Sequence, residues 1–485
     1  MANFGHYGMP NPANFQDVNK GAVTYTNLDK ILVMSPSEMG RLVRIKTPNG
    51  YGVRLPDARQ LAKFKTVTIV NLSNTSAIDI TDNNGNLVKT CLPNTSVVCQ
   101  CTSISTSSGV WTAKQFGAGA MSNIAYGAAT VLSANNADLN SICPLTPTSA
   151  IVFYRDVTNA NYPTAQVITV NGTTISYGTS TVVNSSGAEV GAAAIGVDSI
   201  CALSSTSVFV AYKIGTTTYG QILTISGTTI TPATASSIST LLVGTSLYAV
   251  ALSASTVVVL AQAINTNYYM TATAITVSGT TLTIGALTTL DATNALGGQG
   301  YSSIAPLSST SAVLTYANDS NYYLFAQVIT VSGTTITVGS AITLVSADNR
   351  TNQSICALNS TTAVAFYSSA SSSYYPVATI LNISGTTVTS GNSYTLISVQ
   401  YNWVAICALD TATMLVLFST GSSGNNYAAV ITKTGATLAI GSLVTLNTTA
   451  MTFDSLCTMD SKDAIAFYRD VTNANKPTAI ALTIF

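Results

Sequence analysis

The sequence predicts an all-β protein dominated by a seven-bladed β-propeller over residues 119–485. Three observations carry that prediction: a composition poor in charge, a sevenfold repeat, and a truncated last repeat whose missing strand stands ahead of the first. Charged residues make up only 7% of the chain, while hydrophobic residues make up 47%. Such a chain lacks the charges that solvate long amphipathic helices, whereas β-branched and hydroxyl side chains suit pleated sheets. The most apolar stretch, Val250 to Ile264, is interrupted by Ser and Thr. It falls short of the roughly 18–20 apolar residues of a bilayer span, so no membrane insertion is expected. The start, MANFGHYGMPNPANFQDVNK, has no basic region followed by an apolar one, and no export is expected.

The repeat begins SICPL at Ser141, SICAL at Ser199, YAVAL at Tyr248, SIAPL at Ser303, SICAL at Ser354, AICAL at Ala405 and SLCTM at Ser455. Its period of roughly fifty residues is near that of kelch-type propellers and far from helical solenoids. Each unit reads as four short strands. In the first, SICPL turns through Thr-Pro-Thr-Ser into AIVFY, a polar loop RDVTNAN leads to YPTAQVITV, and Asn171-Gly172 marks a tight hairpin into ISYGTSTVV. A parallel β-helix competes poorly, because its rungs are about half this length and lack alternating hairpins.

The seventh unit ends at ALTIF after three strands, leaving an open edge. Residues 123–134, NIAYGAATVLSA, match the fourth strand of other units, such as ISYGTSTVVNS. The last blade is therefore expected to be built from both ends of the propeller segment.

Ahead of the propeller, residues 54–118 read as a small β-sandwich-like module with a hairpin at Asn84-Gly85, and residues 1–53 as an extended arm. The run Asp82-Asn83-Asn84-Gly85-Asn86 is faintly calcium-loop-like but lacks the other acidic ligands, so a turn is expected. Residues 1–70 hold nine Lys/Arg against four Asp/Glu, a net +5 that the rest of the chain balances at −5. Arg41, Arg44, Lys46, Arg54, Arg59, Lys63 and Lys65 fall in one segment whose only acid is Asp57. The pattern fits an ordinary solvated face or docking on an acidic partner.

Residues 54–113 carry Leu55-Pro56-Asp57-Ala58, a strand with Asn, a hairpin ending Gly85-Asn86-Leu87, and Gly109-Val110-Trp111. In these motifs the segment resembles a small β-module common in bacteriophage tail-fibre and head-fibre proteins. The propeller units, with VITVSGTTITVGSAITL from Val328, also resemble repeats of phage virion surface proteins. What the resemblance implies is a place, not a chemistry. That place is a virion surface assembled in the host cytoplasm, with the N-terminal part (Arg41, Arg44, Lys46 and Arg54 as candidate contacts) on capsid or tail proteins and a homo-oligomer such as a trimer as the displayed form.

Chemistry is sparse. The one histidine, His6, lies in the arm, so the propeller has no material for a Ser-His-Asp triad or a zinc site, and no metal or cofactor is expected. Five of the eight cysteines occupy one repeat position, where Val250 and Ala305 stand in the other units; a small apolar core residue is what that position requires, and free thiols are expected throughout. The only propeller arginines are Arg155, Arg350 and Arg469, too few for a sialidase-like grip on a carboxylate sugar. Two of them belong to the duplicated FYRDVTNAN, which is expected to place Arg155–Asp156 and Arg469–Asp470 pairs at neighbouring blade tips. No basic patch or phosphate-binding loop marks the propeller for nucleic acid.

A binding face is the stronger expectation. Loops between second and third strands end in Tyr162, Tyr219, Tyr269, Tyr323, Tyr375 and Tyr427, with Lys476 in the seventh place and Asn or Ser beside most rings. Flat aromatic faces next to amide and hydroxyl donors suit stacking on saccharides, although a repeated Tyr also serves blade packing. Trp403 is a further candidate. The expected function is thus non-enzymatic, a virion fibre or decoration protein with host-surface glycan as ligand; the alternative is a virion-associated propeller glycan hydrolase or depolymerase.

Overall fold

The computed structural model describes residues 15–19, 22–62, 65–73, 76–91, 96–116, 124–185, 199–240, 242–263, 269–291, 302–317, 323–346, 353–368, 375–395, 403–419, 425–447 and 451–484. His6, Lys63, Arg350 and the side chain of Trp403 lie outside what it describes. The chain forms two compact units, one of residues up to Met121 together with Thr432–Gly435 and one of Ser122–Ile431 with Ala436–Phe485.

The first unit winds between two sheets. Strands β1 (Phe15–Asn19), β2 (Ala22–Asn27), β4 (Leu42–Thr47), β6 (Thr66–Asn71), β9 (Ser96–Ser103) and β10 (Val110–Phe116) form one sheet in that order. Strands β3 (Leu32–Val33), β5 (Val53–Arg54), β7 (Ile78–Thr81) and β8 (Leu87–Cys91) form the other. Strand β4 pairs in parallel with both β2 and β6, and β5 in parallel with both β3 and β7. One core fills the space between the sheets, with Val23, Leu28, Leu32, Val43, Ile45 and Val53 packed with Ile69, Ile80 and Cys99.

The expected extended arm over 1–53 is therefore corrected for residues 22–53, and residue 54 is not a boundary. Short apolar runs such as Val43 and Ile45 look too sparse for an independent strand, but parallel coiling stacks them rung on rung and buries them completely. The motifs of 54–113 have structural jobs here. Asp57 accepts the Arg59 N–H at the start of a 3₁₀ turn. Ala58 is buried beneath Gly109, where any side chain would strike it, and Trp111 Nε1 donates to Ser108 O at 2.7 Å. The strand asparagine is Asn71, whose side chain donates to Ser76 O and Cys91 O and accepts from Ser73 N. The calcium-like run is a turn: Asp82 Oδ1 accepts from Asn84 N at 2.8 Å and Asn86 N at 2.9 Å.

The second unit is the seven-bladed propeller. In the first blade, β13 (Ala137–Thr146), β14 (Ser149–Asp156) and β15 (Tyr162–Asn171) are antiparallel neighbours, and β15 then pairs with both β16 (Thr174–Tyr177) and β17 (Thr181–Val182). The outermost strand is thus broken in two, a detail the four-strand reading did not contain. The hairpin glycines sit at positive φ, 60° at Gly172, on the first central residue of a two-residue turn.

Closure is as expected: β11 (Ile124–Tyr126) and β12 (Thr130–Val131) pair antiparallel with the last strand, Lys476–Ile484. They behave as a fourth strand in finer detail too. A Cβ on Gly127 would overlap the Thr173 carbonyl of the next blade, as one on Gly339 would overlap that of Thr386. Gly127, Gly178, Gly285 and Gly339 each stand where the Thr of the following hairpin, Thr173, Thr228, Thr334 and Thr386 in turn, lies against the outer strand.

Apolar clusters lie between blades. Ile151, Phe153, Ala165 and Val167 of the first blade pack with Val208, Val210 and Tyr212 of the second. On its other face Val152, Tyr154 and Ile168 pack with Ile465, Phe467 and Ala479 of the last. Successive residues of one strand therefore serve opposite neighbours. The rings of Tyr154 and Phe467 meet across the closing interface with centroids 6.3 Å apart, and Phe153 and Tyr212 repeat the contact one blade on. All eight cysteines are buried free thiols, and burial pushes Cys407 up to about 12.

The serine of the SIC motif is a latch that sequence reading passed over. Ser141 Oγ accepts the Ser199 N–H at 2.9 Å, Ser303 Oγ that of Ile355 at 3.1 Å, and Ser354 Oγ that of Ile406 at 3.2 Å. Ser455 Oγ accepts the Ile142 N–H at 3.2 Å and so ties the last blade to the first. Where the unit has Tyr248 instead, its hydroxyl takes the Ser302 N–H at 3.2 Å. An innermost strand has no sheet neighbour on its inner edge, and the serine gives one of its buried donors a partner. Ser141→Ala is expected to cost about 1–3 kcal/mol, the penalty of a stranded buried N–H, measured by urea unfolding; a loss under about 0.3 kcal/mol means water replaces the hydroxyl.

Candidate functional face

Antiparallel blades put every loop between second and third strands, and every blade-to-blade connection, at one end of the propeller. The other end holds only hairpins, none longer than the four residues 409–412 or 459–462. The loop end carries much longer connections, such as those from Val182 to Ile200 and from Thr289 to Ser302. Long loops on a rigid scaffold are where binding residues concentrate, so this end is the candidate site.

Six tyrosines were expected at one equivalent position here, and pairing register divides them. Tyr162 lies opposite Asp156 and Tyr269 opposite Ala263, each at the mouth of a third strand. Tyr323 and Tyr375 directly precede the third strands that begin at Leu324 and Pro376. All four are half-buried. Tyr219 and Tyr427 stand two residues deeper, in register with Phe325 and Thr164. There they stack on second-strand aromatics: Tyr219 on Tyr212 with centroids 6.0 Å apart, Tyr427 on Phe418 at 5.4 Å, and Phe325 on Tyr316 at 5.5 Å. A slip of two residues preserves the face of a strand; its signal in the sequence is the distance to the hairpin glycine, ten residues from Tyr162 to Gly172 but eight from Tyr219 to Gly227. Tyr219 and Tyr427, half-buried like the other four, each pack a ring face within their own blade. Trp403 begins the innermost strand of the sixth blade, opposite Ser419 in register.

The sequence also missed the aromatic position beneath. Tyr154, Tyr212, Tyr316, Tyr367, Phe418 and Tyr468 recur at the end of the second strand and are all buried. Their signal was the recurring aromatic that closes that strand, as in AIVFY and AIAFY. Tyr212 donates to Gln221 Oε1, and burial raises its pKa to about 12. Gln221 Nε2 reaches Val183 O of the preceding blade, as Gln327 Nε2 reaches Leu290 O. These hydroxyls and amides hold blades together beneath the loop face.

The duplicated tips differ from expectation. Arg155 forms its ion pair with Asp138 of the adjoining inner strand, its Nε 2.6 Å from Oδ1. Asp156 instead caps its own loop, accepting from Asn159 N, and Asp470 does the same for Thr472 N and Asn473 N. Register decides this: Arg155 stands opposite Asp138, whereas Asp156 is its neighbour in sequence and points to the other side of the strand. Other carboxylates are similarly engaged. Asp410 and Asp460 cap hairpins at the opposite end, and Asp291 accepts from the Tyr316 hydroxyl. Among the described residues, no group of three or more His, Cys, Asp or Glu is arranged to hold a metal ion.

The four candidate attachment residues do not share a surface. Arg41, Arg44 and Lys46 belong to β4 and the residue before it, whereas Arg54 is in β5 of the other sheet with its Nε buried.

No protein-family model and no curated protein matches the chain. Solved structures do. The BP39L lectin from Burkholderia pseudomallei aligns with a TM-score of 0.50 and 8% identity over 72% of this chain and 96% of its own. A variant of the Aleuria aurantia lectin in complex with α-methyl-L-fucoside gives 0.37 and 10% over 71% and 96%. A Hadza microbial sialidase gives 0.41 and 10% over 71% and 65%. At such identities the likeness concerns the fold alone. The class is thus a seven-bladed β-propeller with lectins among its structural neighbours.

Proposed function

We propose that this is a non-enzymatic surface protein of a bacteriophage particle, whose propeller binds host-surface glycan through its loop end. The observation that carries the binding half is the row of equivalent, half-buried tyrosines at the third-strand mouths, Tyr162, Tyr269, Tyr323 and Tyr375, on the end that holds all the long loops. A half-buried ring rooted in a rigid blade at a loop mouth is preorganised for stacking on a sugar. Low charge favours a neutral saccharide over a polyanion. The virion half rests on the resemblance of residues 54–113 to phage fibre modules. Among the described residues of the loop end, binding rather than hydrolysis is supported by the engagement of Asp156, Asp291 and Asp470 in caps and packing.

The test is glycan-array binding by the full chain and by a Tyr323→Ala/Tyr375→Ala variant, with thermal melts as the folding check. Binding is expected to fall at least about tenfold with the melt nearly unchanged, because stacking contacts of this kind contribute about 0.5–1.5 kcal/mol each and repeated sites multiply through avidity. Equal binding by a normally folded double variant would return these tyrosines to blade packing. Release of reducing sugar from a bound glycan would replace the binding reading with the hydrolase.

A further inference from the structure

The outward face of the six-stranded sheet has a composition unlike the rest of the chain. Strand alternation sends Val23, Tyr25, Val43, Ile45, Val67, Ile69, Val97 and Cys99 into the core and the residues between them outward. By register the outward row runs Thr24, Arg44, Val70 across β2, β4 and β6, and Thr68, Val98 across β6 and β9, with Gln100 facing Thr112 of β10. Four cations lie on or beside this surface. Arg44 and Lys46 are alternate residues of β4, Arg41 precedes that strand, and Lys65 precedes β6, where Thr68 N–H donates to Arg41 O and so sets the two strand starts side by side. Arg41, Lys46 and Lys65 are exposed and Arg44 is half-buried. One acid, Asp17 of β1, stands in register with this row opposite Thr24, and among the described residues neither salt bridge involves one of the four cations. The nearby Glu38 accepts from the Tyr25 hydroxyl and from Ser35 N, and Arg41 acts on the same hydroxyl.

We propose that this face, centred on Arg44 and Lys46, docks on a carboxylate-rich protein surface. The inference rests on the reading of the first unit as the part joined to a particle and names the chemistry of what it joins. A sheet face on which exposed cations outnumber the single acid Asp17, set among Thr68, Val70 and Val98, matches a protein surface bearing Asp and Glu; the positive row attracts it, and the hydroxyl satisfies polar groups between charges. A nucleic acid fits less well, because the described outward side chains include no aromatic ring on which a base would stack. Arg54 takes no part, since it belongs to the other sheet.

The test uses the full chain at physiological salt with two probes, poly-L-glutamate and a single-stranded DNA of matched charge. The wild type is expected to bind poly-L-glutamate more tightly than DNA, and Arg44→Glu/Lys46→Glu to weaken that binding by an order of magnitude or so, whereas Lys213→Glu on the propeller leaves it unchanged. A melt confirms folding; outward positions of a strand tolerate such exchanges, and Arg44→Gln/Lys46→Gln serves if reversal unfolds the unit. Equal binding by the folded variants overturns the proposal, and tighter binding to DNA replaces the protein partner with a nucleic acid. Incorporation into particles is scored separately. If wild type is not incorporated, the virion reading fails while the poly-L-glutamate result still decides the chemistry of the face.

Discussion

A chain beginning at Asn135 is expected to lose the single cooperative unfolding transition of one beginning at Gly119 and to aggregate as its concentration rises. Without β11 and β12, the strand Lys476–Ile484 presents a bare edge of unpaired N–H and C=O groups, and such edges recruit other chains. The damage is not confined to that edge. Ile124 and Leu132 are buried, and Gly127 is the seat for Thr173 of the next blade, so the contact between last and first blades loses part of its outer wall. A ring of blades has no free end, and opening it turns a closed set of interfaces into a linear one whose terminal blades unfold independently. Urea unfolding followed by fluorescence and by light scattering reads both effects. Coincident, cooperative transitions in the shorter chain would show that the three strands of the last blade suffice.

Phe467→Ala is expected to be the most damaging single substitution at the same interface, costing about 3–5 kcal/mol. Phe467 is fully buried, in the cluster that joins the last blade to Tyr154 and Val152 of the first. Removing its ring forfeits the apolar burial and the tilted contact with Tyr154, and leaves a cavity between two sheets that closure prevents from collapsing. The cost should be partly shared: combined with Tyr154→Ala, the double variant should lose about 0.5–1.5 kcal/mol less than the sum of the single losses, the value of an aromatic pair beyond its area. Equilibrium unfolding of the four proteins measures it. A loss below 1 kcal/mol for Phe467→Ala would mean that the interface repacks freely.

The two experiments bracket how much of this architecture was legible in the residues. The closing strand was legible because NIAYGAATVLSA repeats the outer-strand pattern of other blades, including the glycine that Gly178, Gly285 and Gly339 also place beneath the neighbouring hairpin. The loop end was legible because hairpins declare themselves by Gly-Thr and by length. The tyrosine row was half legible. Tyr162, Tyr269, Tyr323 and Tyr375 fall where the repeat places them, but Tyr219 and Tyr427 share their letter and not their register. The serine latches went unread because a serine at the head of a strand has many local partners. Only the position of the adjacent blade shows that Ser455 receives the N–H of Ile142, more than three hundred residues away in the chain.

What the sequence by itself determined are the properties carried by local pattern and by repetition: the all-β class, the number of blades, the hairpins and the closure of the ring. Alternation, turn residues and period are printed in each unit and reinforced by seven copies. Tertiary structure decided what depends on which strands meet. It drew residues 22–53 into the first unit, gathered Arg41, Arg44, Lys46 and Lys65 onto one sheet while leaving Arg54 on the other, and gave Arg155 to Asp138 instead of Asp156. The physical reason is that parallel pairing and cross-strand contacts are settled by burial between segments distant in sequence, where a two-residue shift keeps the pattern and changes every partner.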